Sequence, residues 1–132
     1  MPKVRINGIN LYYEVEGKGS PLLLIAGLAS DSRSWRSVMH KLSSSFQVIS
    51  FDNRGAGQSS SVDAPSSIGQ MAEDCLALLN HLGIQSVNLM GHSMGGFIAL
   101  EMAIRASWTV ENLILAATSS FCSESNAEHF SR

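Results

Sequence analysis

The sequence has few cysteines, no cluster of basic residues and no long apolar run. Its two cysteines, Cys75 and Cys122, lack the spacing of a metal site. They favour a reducing cytoplasm, in which each thiol packs as a small hydrophobic side chain. The nine Lys and Arg residues are dispersed and the formal net charge is −2. Nucleic acid and anionic membranes are therefore not expected partners.

The short apolar runs and the composition limit the class of protein further. The longest run, 22–29, is far below the roughly 20 residues that span a bilayer. No apolar segment of a secretory signal follows Met1, and no Gly-x-Gly-x-x-Gly follows a predicted strand. No cofactor or metal is expected. With 132 residues, 45% of them hydrophobic and 15% charged, we expect 1–132 to be one globular domain or part of one.

Short apolar segments alternate with helical periodicity along the chain. Asn7-Gly8 predicts a hairpin between strands 3–6 and 9–16, and further strands are predicted at 22–25, 46–51, 87–90 and 110–117. Ser67 and Gln70 have the spacing of a capping box, and Gly83 is expected to end that helix. The pattern predicts an α/β fold with a mostly parallel sheet and helices on both faces.

Another helix is predicted after residue 30. Asp31 and Ser32 are placed to cap it, and apolar residues follow at helical spacing: Trp35, Val38, Met39 and Leu42.

The segment around Ser93 carries the clearest chemical motif. Gly91-His92-Ser93-Met94-Gly95 follows a predicted strand and leads into an apolar helix, which is the context of a nucleophile elbow. On so tight a turn the hydroxyl projects above the sheet, and Gly91 and Gly95 avoid a Cβ that would collide with the neighbouring strand and helix. The first N–H groups of the helix favour a negative charge beside the hydroxyl. This predicts Ser93 as a nucleophile and the Met94 N–H as an oxyanion donor.

Other small and polar residues also follow predicted strands. Ala26-Gly27, Asp52-Asn53, Gly91-His92 and Thr118 all stand at such positions. In a parallel sheet, ligands bind beyond the carboxyl ends of the strands. We therefore expect these residues to meet at one edge of the sheet and to surround the site.

Together, the hairpin, Ala26-Gly27, the stretch Asp52-Asn53-Arg54-Gly55-x-Gly57-x-Ser59 and the elbow motif resemble the α/β-hydrolase fold family. The resemblance covers nearly the whole chain and is strongest to small esterases, enol-lactonases and carbon–carbon bond hydrolases. It implies a small ester, lactone or related acyl substrate and an acyl-enzyme on Ser93. It also implies backbone oxyanion donors at Met94 and Leu28. Members resembling dehalogenases or epoxide hydrolases would carry Asp at position 93.

Polar residues beside these motifs favour structural roles. His92 is expected to pack or to form hydrogen bonds, because its side chain in an elbow points away from the line of attack. Asp52 and Arg54 are expected to fix their turn through hydrogen bonds and charge pairing. His40 and His81 fall on predicted helices away from the strand ends, so surface or capping roles are expected for both.

The resemblance implies a catalytic triad in the chain order Ser, acid, His. Neither the acid nor the histidine is identified in this chain. The only histidine after Ser93 is His129, in a polar segment without periodicity. We therefore expect a hydrolase core truncated after the strand that follows the nucleophile helix, with 119–132 standing where a cap domain would begin.

Two functions remain open at this point. The chain is a serine hydrolase that is inactive alone, or it is a non-catalytic fragment or binding module without the triad acid and histidine. The apolar strand 110–117 would be left as an edge strand, which predicts self-association or pairing with a complementing C-terminal chain.

Overall fold

A computed structural model describes residues 3–27, 35–62 and 66–116 of the chain. The expectations for Leu28, Asp31, Ser32 and the segment 117–132, which contains Cys122 and His129, lie outside these residues. The elements of the described ranges are β1 (Lys3–Ile6), β2 (Ile9–Glu16), β3 (Ser20–Ile25), α1 (Arg36–Leu42), β4 (Phe46–Phe51), α2 (Ile68–His81), β5 (Val87–His92), α3 (Met94–Arg105) and β6 (Val110–Ala116).

The strands form one mixed sheet in the order β1-β2-β4-β3-β5-β6. Strand β2 is antiparallel to both of its neighbours, β1 and β4, whereas β4, β3, β5 and β6 run parallel to one another. This confirms the predicted hairpin followed by a mostly parallel sheet. Because Ile25 is paired with Gly91, the carboxyl ends of β3 and β5 lie at the same edge.

The hairpin turn has the backbone conformation that its sequence favours. Asn7 has φ 47° and Gly8 has φ 83°, and two successive positive φ values are typical of a type I′ turn. The Asn7 side chain also donates from Nδ2 to Oδ1 of Asp74 at 3.0 Å. The turn is therefore fastened to α2 as well as to its own strands.

Helices cover both faces of the sheet, as predicted. α2 and α3 contribute to a large cluster with Leu23, Ile49 and Leu89, whereas α1 packs on the opposite face. There Trp35 and Met39 are buried near the start and middle of α1, but Val38 is 39% exposed. Val38 shares the helical spacing of these residues but lies outside the buried face, because a seven-residue helix turns only one narrow side toward the sheet.

Helix α2 begins and ends on side-chain and backbone caps. At its start, Ser67 Oγ accepts from the Gln70 N–H at 3.0 Å. The Gln70 side chain donates to Asp74 at 3.3 Å. In a full capping box this side chain would instead bond to the backbone N–H of Ser67. At its end, Ile84 N–H donates to Leu79 and Gly83 N–H to Asn80, which is the Schellman pattern.

Strand β6 lies at the edge of the described sheet. Within the described residues it pairs with β5 alone. Ile114 and Leu115 on this strand are 46% and 36% exposed.

Among the described residues, none of the helices has both the length and the apolar character needed to cross a membrane.

Candidate active site

The backbone at Ser93 is in a strained conformation. Strand β5 ends at His92 and α3 begins at Met94, so the chain reverses within one residue. Ser93 has φ 56° and ψ −120°, a combination that non-glycine residues rarely adopt. Two hydrogen bonds hold it there: Ser93 N–H donates to Ala116 O at 3.0 Å, and Gly96 N–H donates to Ser93 O at 2.9 Å. Such conformations cluster at functional sites.

Gly91 and Gly95 let the strand, the turn and the helix approach closely. A Cβ added to Gly91 would lie 2.6 Å from the carbonyl carbon of Gly95, on the helix. A Cβ added to Gly95 would lie 2.7 Å from the carbonyl carbon of Ile25 and 2.9 Å from Ala26 O, on the neighbouring chain segment. Both obstacles are backbone atoms, which no side-chain rotation can move. The two glycines thus occupy the positions where the elbow has no space for a side chain.

The carboxyl end of β3 reaches the serine. A Cβ built on Gly27 would lie 3.0 Å from Ser93 Cβ and 3.1 Å from His92 O. The loop that carries the proposed second oxyanion donor therefore leaves the sheet directly beside Ser93. Leu28 itself lies outside the described residues, so its backbone role stays a prediction. The Met94 N–H belongs to the first turn of α3, where N–H groups lack a partner within the helix.

Ser93 is half-buried, and its hydroxyl does not cap α3. No hydrogen bond joins it to a side chain in the described part of the chain. His92 is exposed at the end of β5. Nδ1 of His40 lies 3.5 Å from Glu16 Oε2, and the ring of His81 stands edge-on to the ring of Tyr13. In the described ranges no histidine or carboxylate forms a hydrogen bond with the Ser93 hydroxyl, and the triad acid and base remain unassigned.

The loop after β4 is fixed by internal hydrogen bonds. Asp52 is buried, and its Oδ2 accepts from Gln58 N–H at 2.8 Å. Ser59 Oγ donates to Asp52 O and accepts from Tyr12 N–H at 2.9 Å. This fastens both ends of the loop to β2. The predicted structural role of Asp52 is confirmed.

Arg54 forms the charge pair that was predicted for it, with a buried partner, Asp74, that the sequence did not identify. Its Nε and Nη2 donate to the two carboxylate oxygens of Asp74 at 2.7 and 2.9 Å. The two side chains are only 13% and 1% exposed. Hydrogen bonding to Asp74 raises the pKa of Arg54 above its already high value, so it stays charged. The sequence feature that could have identified this pair is the position of Asp74, an acidic residue on the apolar face of α2 between Met71 and Cys75.

The described residues contain no cluster of metal ligands, and their one cysteine, Cys75, is buried. No cluster of three His, Cys, Asp or Glu residues suited to a metal ion occurs among the described residues. Cys75 is fully buried in α2, and that burial raises the pKa of its thiol well above the usual range. Cys75 therefore packs as a hydrophobic side chain, as predicted.

Comparison with known proteins gives a consistent family. Residues 20–131 match the alpha/beta hydrolase fold family. The chain is 36% identical over 115 residues to the candidate carbamate hydrolase RutD of Azorhizobium caulinodans, covering 87% of this chain and 43% of that protein. It is 36% identical over 110 residues to a soluble epoxide hydrolase of a Corynebacterium species, covering 83% of this chain and 38% of that protein.

A solved structure agrees with these sequence matches. The enol-lactonase from Burkholderia xenovorans superposes with a TM-score of 0.85 at 32% identity, covering 89% of this chain and 47% of that one. The chain thus spans less than half the length of these relatives. Its match over 20–131, the elbow at Ser93 and the sheet order together show that the chain belongs to the α/β-hydrolase fold family.

Proposed function

We propose that Ser93 is the nucleophile of a hydrolase that acts on a small ester, lactone or related acyl substrate. The observation that carries this proposal is the conformation of Ser93, with φ 56° between Gly91 and Gly95. That conformation is strained and is kept by two backbone hydrogen bonds and by close packing of glycines. Strained backbone conformations cluster at functional sites, and ligands bind at the carboxyl edge of a parallel sheet, so a serine with both properties is a candidate nucleophile.

The proposed reaction begins with attack of Ser93 Oγ on the carbonyl carbon. The hydroxyl proton passes to a general base, and the N–H groups of Met94 and Leu28 donate to the carbonyl oxygen and stabilise the negative charge that forms there. The alcohol or amine leaves with a proton, and an acyl group stays on Ser93. Attack of water on that ester then releases the acid and restores the hydroxyl.

The general base and the acid that orients it come, in this proposal, from outside the described residues. A serine hydroxyl needs a histidine within hydrogen-bond distance to react at neutral pH. We infer that a complementing C-terminal chain supplies both groups, and that 1–132 alone has little activity. The site of action proposed is the cytoplasm, since the sequence has no disulfide framework.

The substrate class follows from the residue at position 93. The relatives named above include a candidate carbamate hydrolase and an enol-lactonase, whose substrates are acyl compounds, and also an epoxide hydrolase. Serine at this position favours acyl transfer over epoxide opening, for which the resemblance implies Asp. The fold alone does not determine whether the substrate is an ester, a lactone or a carbamate.

Labelling with a fluorophosphonate probe tests the proposal. The purified chain, alone and with a candidate C-terminal half from a relative added, is compared with Ser93→Ala and with Ser86→Ala, which removes another half-buried serine at the opposite end of β5. Labelling that survives Ser86→Ala and is lost in Ser93→Ala supports the nucleophile. The modified peptide is located by mass spectrometry.

The alternative is a non-catalytic fragment or binding module, and one observation favours it. Within the described residues nothing activates the Ser93 hydroxyl. A folded sample that the probe does not label, even after addition of a candidate C-terminal half from a relative, would establish this alternative and end the enzyme proposal for Ser93.

A further inference from the structure

A groove lies at the end of the sheet opposite Ser93. It is formed where the chain leaves α2 and where it leaves α3, and its volume is about 710 Å³. Leu79, Ile84 and Ala106 contribute apolar side chains to its lining. The groove borders the start of β5 and Ser93 follows its end, so about 20 Å of strand separates the two. It is therefore distinct from the proposed catalytic site.

Trp108 is the most exposed large apolar side chain in the described residues. It lines the groove and is 81% exposed, whereas Trp35 is 9% exposed in the core. Keeping an indole in water forgoes the free energy that its burial would give. The ring thus offers a flat apolar surface at the edge of a cavity that is large enough for a ligand.

The polar side chains of the groove are all neutral. Asn80, Gln85, Ser86 and Thr109 line it, and no charged residue does so among the described residues. In that part of the chain, these four side chains make no hydrogen bond with the protein. Amide and hydroxyl groups can each donate and accept. The groove therefore offers free hydrogen-bonding groups of both kinds without a net charge.

We propose that this groove, hereafter the Trp108 groove, binds an uncharged saccharide. A pyranose ring has an apolar C–H face that matches the indole and a rim of hydroxyls that both donate and accept. A charged ligand would lose hydration without gaining a counter-ion here. A purely apolar ligand would cover the indole but leave the four polar side chains without new partners. The neutral, amphipathic ligand fits both features.

The indole N–H signals of the two tryptophans allow a direct test by NMR. The full chain is titrated with maltose, cellobiose and lactose, each up to about 50 mM, since weak sites have a Kd of about 1 mM or above. We expect at least one disaccharide to shift the Trp108 signal saturably while the Trp35 signal stays in place. If none of the three shifts it, the proposal is wrong.

Two variants separate binding in the groove from non-specific effects. The backbone signals of Gln85 and Thr109 report binding when the indole is absent. Trp108→Ala is expected to weaken binding at least tenfold, whereas Ile104→Ala, at another exposed position of 77%, is expected to leave it unchanged. Equal weakening in both variants would contradict a site built on Trp108.

Two further outcomes would assign the groove to something else. Binding of the anionic sugar lactobionate as tightly as lactose would contradict the match to an uncharged ligand. Shifts of the Trp108 signal that depend on protein concentration and not on sugar would show that a second copy of the chain occupies the groove. Either result overturns the saccharide proposal, and neither bears on Ser93.

Discussion

Replacing Asp74 by asparagine removes one charge from the buried pair that joins the loop after β4 to α2. Asp74 Oδ1 accepts from Arg54, Asn7 and Gln70, and Oδ2 accepts from Arg54 Nε. In Asp74→Asn the shape is kept, but an amide N–H₂ faces one of these donors. The guanidinium of Arg54, 13% exposed, is left without its counter-ion.

The expected loss of stability is large. Breaking a buried ion pair by neutralising one partner costs about 3–5 kcal/mol. A domain of this kind has a free energy of unfolding of about 5–15 kcal/mol. With a urea m-value of about 2 kcal/mol/M, the midpoint of unfolding should fall by about 1.5–2.5 M.

Urea titration followed by circular dichroism measures this change. The matched control is Glu73→Gln, one residue away on α2, whose ion pair with Arg105 is on the surface. Its midpoint should move far less, because water screens that pair. In the double variant Arg54→Met/Asp74→Leu the midpoint should largely recover, since no buried charge is left unpaired. Equal midpoints for Asp74→Asn and Glu73→Gln would refute the argument from burial.

Three other changes test different parts of the fold. Gly95→Ala should destabilise the chain by about 1–3 kcal/mol in the same titration and abolish any probe labelling, because its Cβ meets backbone; unchanged stability would contradict that packing. In a Cys122→Ser variant, Cys75 should react with a thiol reagent only on unfolding, and prompt reaction of the folded protein would refute this. The free energy of unfolding of this variant should also fall as pH rises above about 8.5, because the Cys75 thiol ionises at lower pH in the unfolded state than in the folded one. Light scattering at high concentration should give a mass above 14.2 kDa that Leu115→Lys lowers, whereas a monomer of 14.2 kDa would exclude association through β6.

Local patterns predicted the elements of this fold well. Asn7-Gly8 specifies the hairpin, and Ser67 and Gly83 mark the two ends of α2, because each acts through its own backbone or the next turn. The elbow at Ser93 was found for the same reason, since its spacing reflects sterics within five residues. Constraints that act within a few residues can therefore be predicted from the sequence of a single segment.

Contacts between distant segments were harder to predict. Pairing of Arg54 with Asp74 depends on how the loop after β4 meets α2 across 20 residues. The exposure of Val38 depends on how much of the sheet α1 covers. The Trp108 groove joins the ends of two helices, and no single segment contains its pattern. Each requires the tertiary arrangement, which periodicity alone does not provide.

The hairpin turn also affects how the protein ages. Asn-Gly is the dipeptide in which the asparagine amide is most readily lost, because glycine leaves the following backbone nitrogen accessible. Deamidation of Asn7 would place a new carboxylate against Oδ1 of Asp74, where an N–H now donates at 3.0 Å. Two like charges at that distance repel. Stored samples that gain the mass of deamidation should therefore also unfold at lower urea, and the shelf life of the chain depends on its first turn.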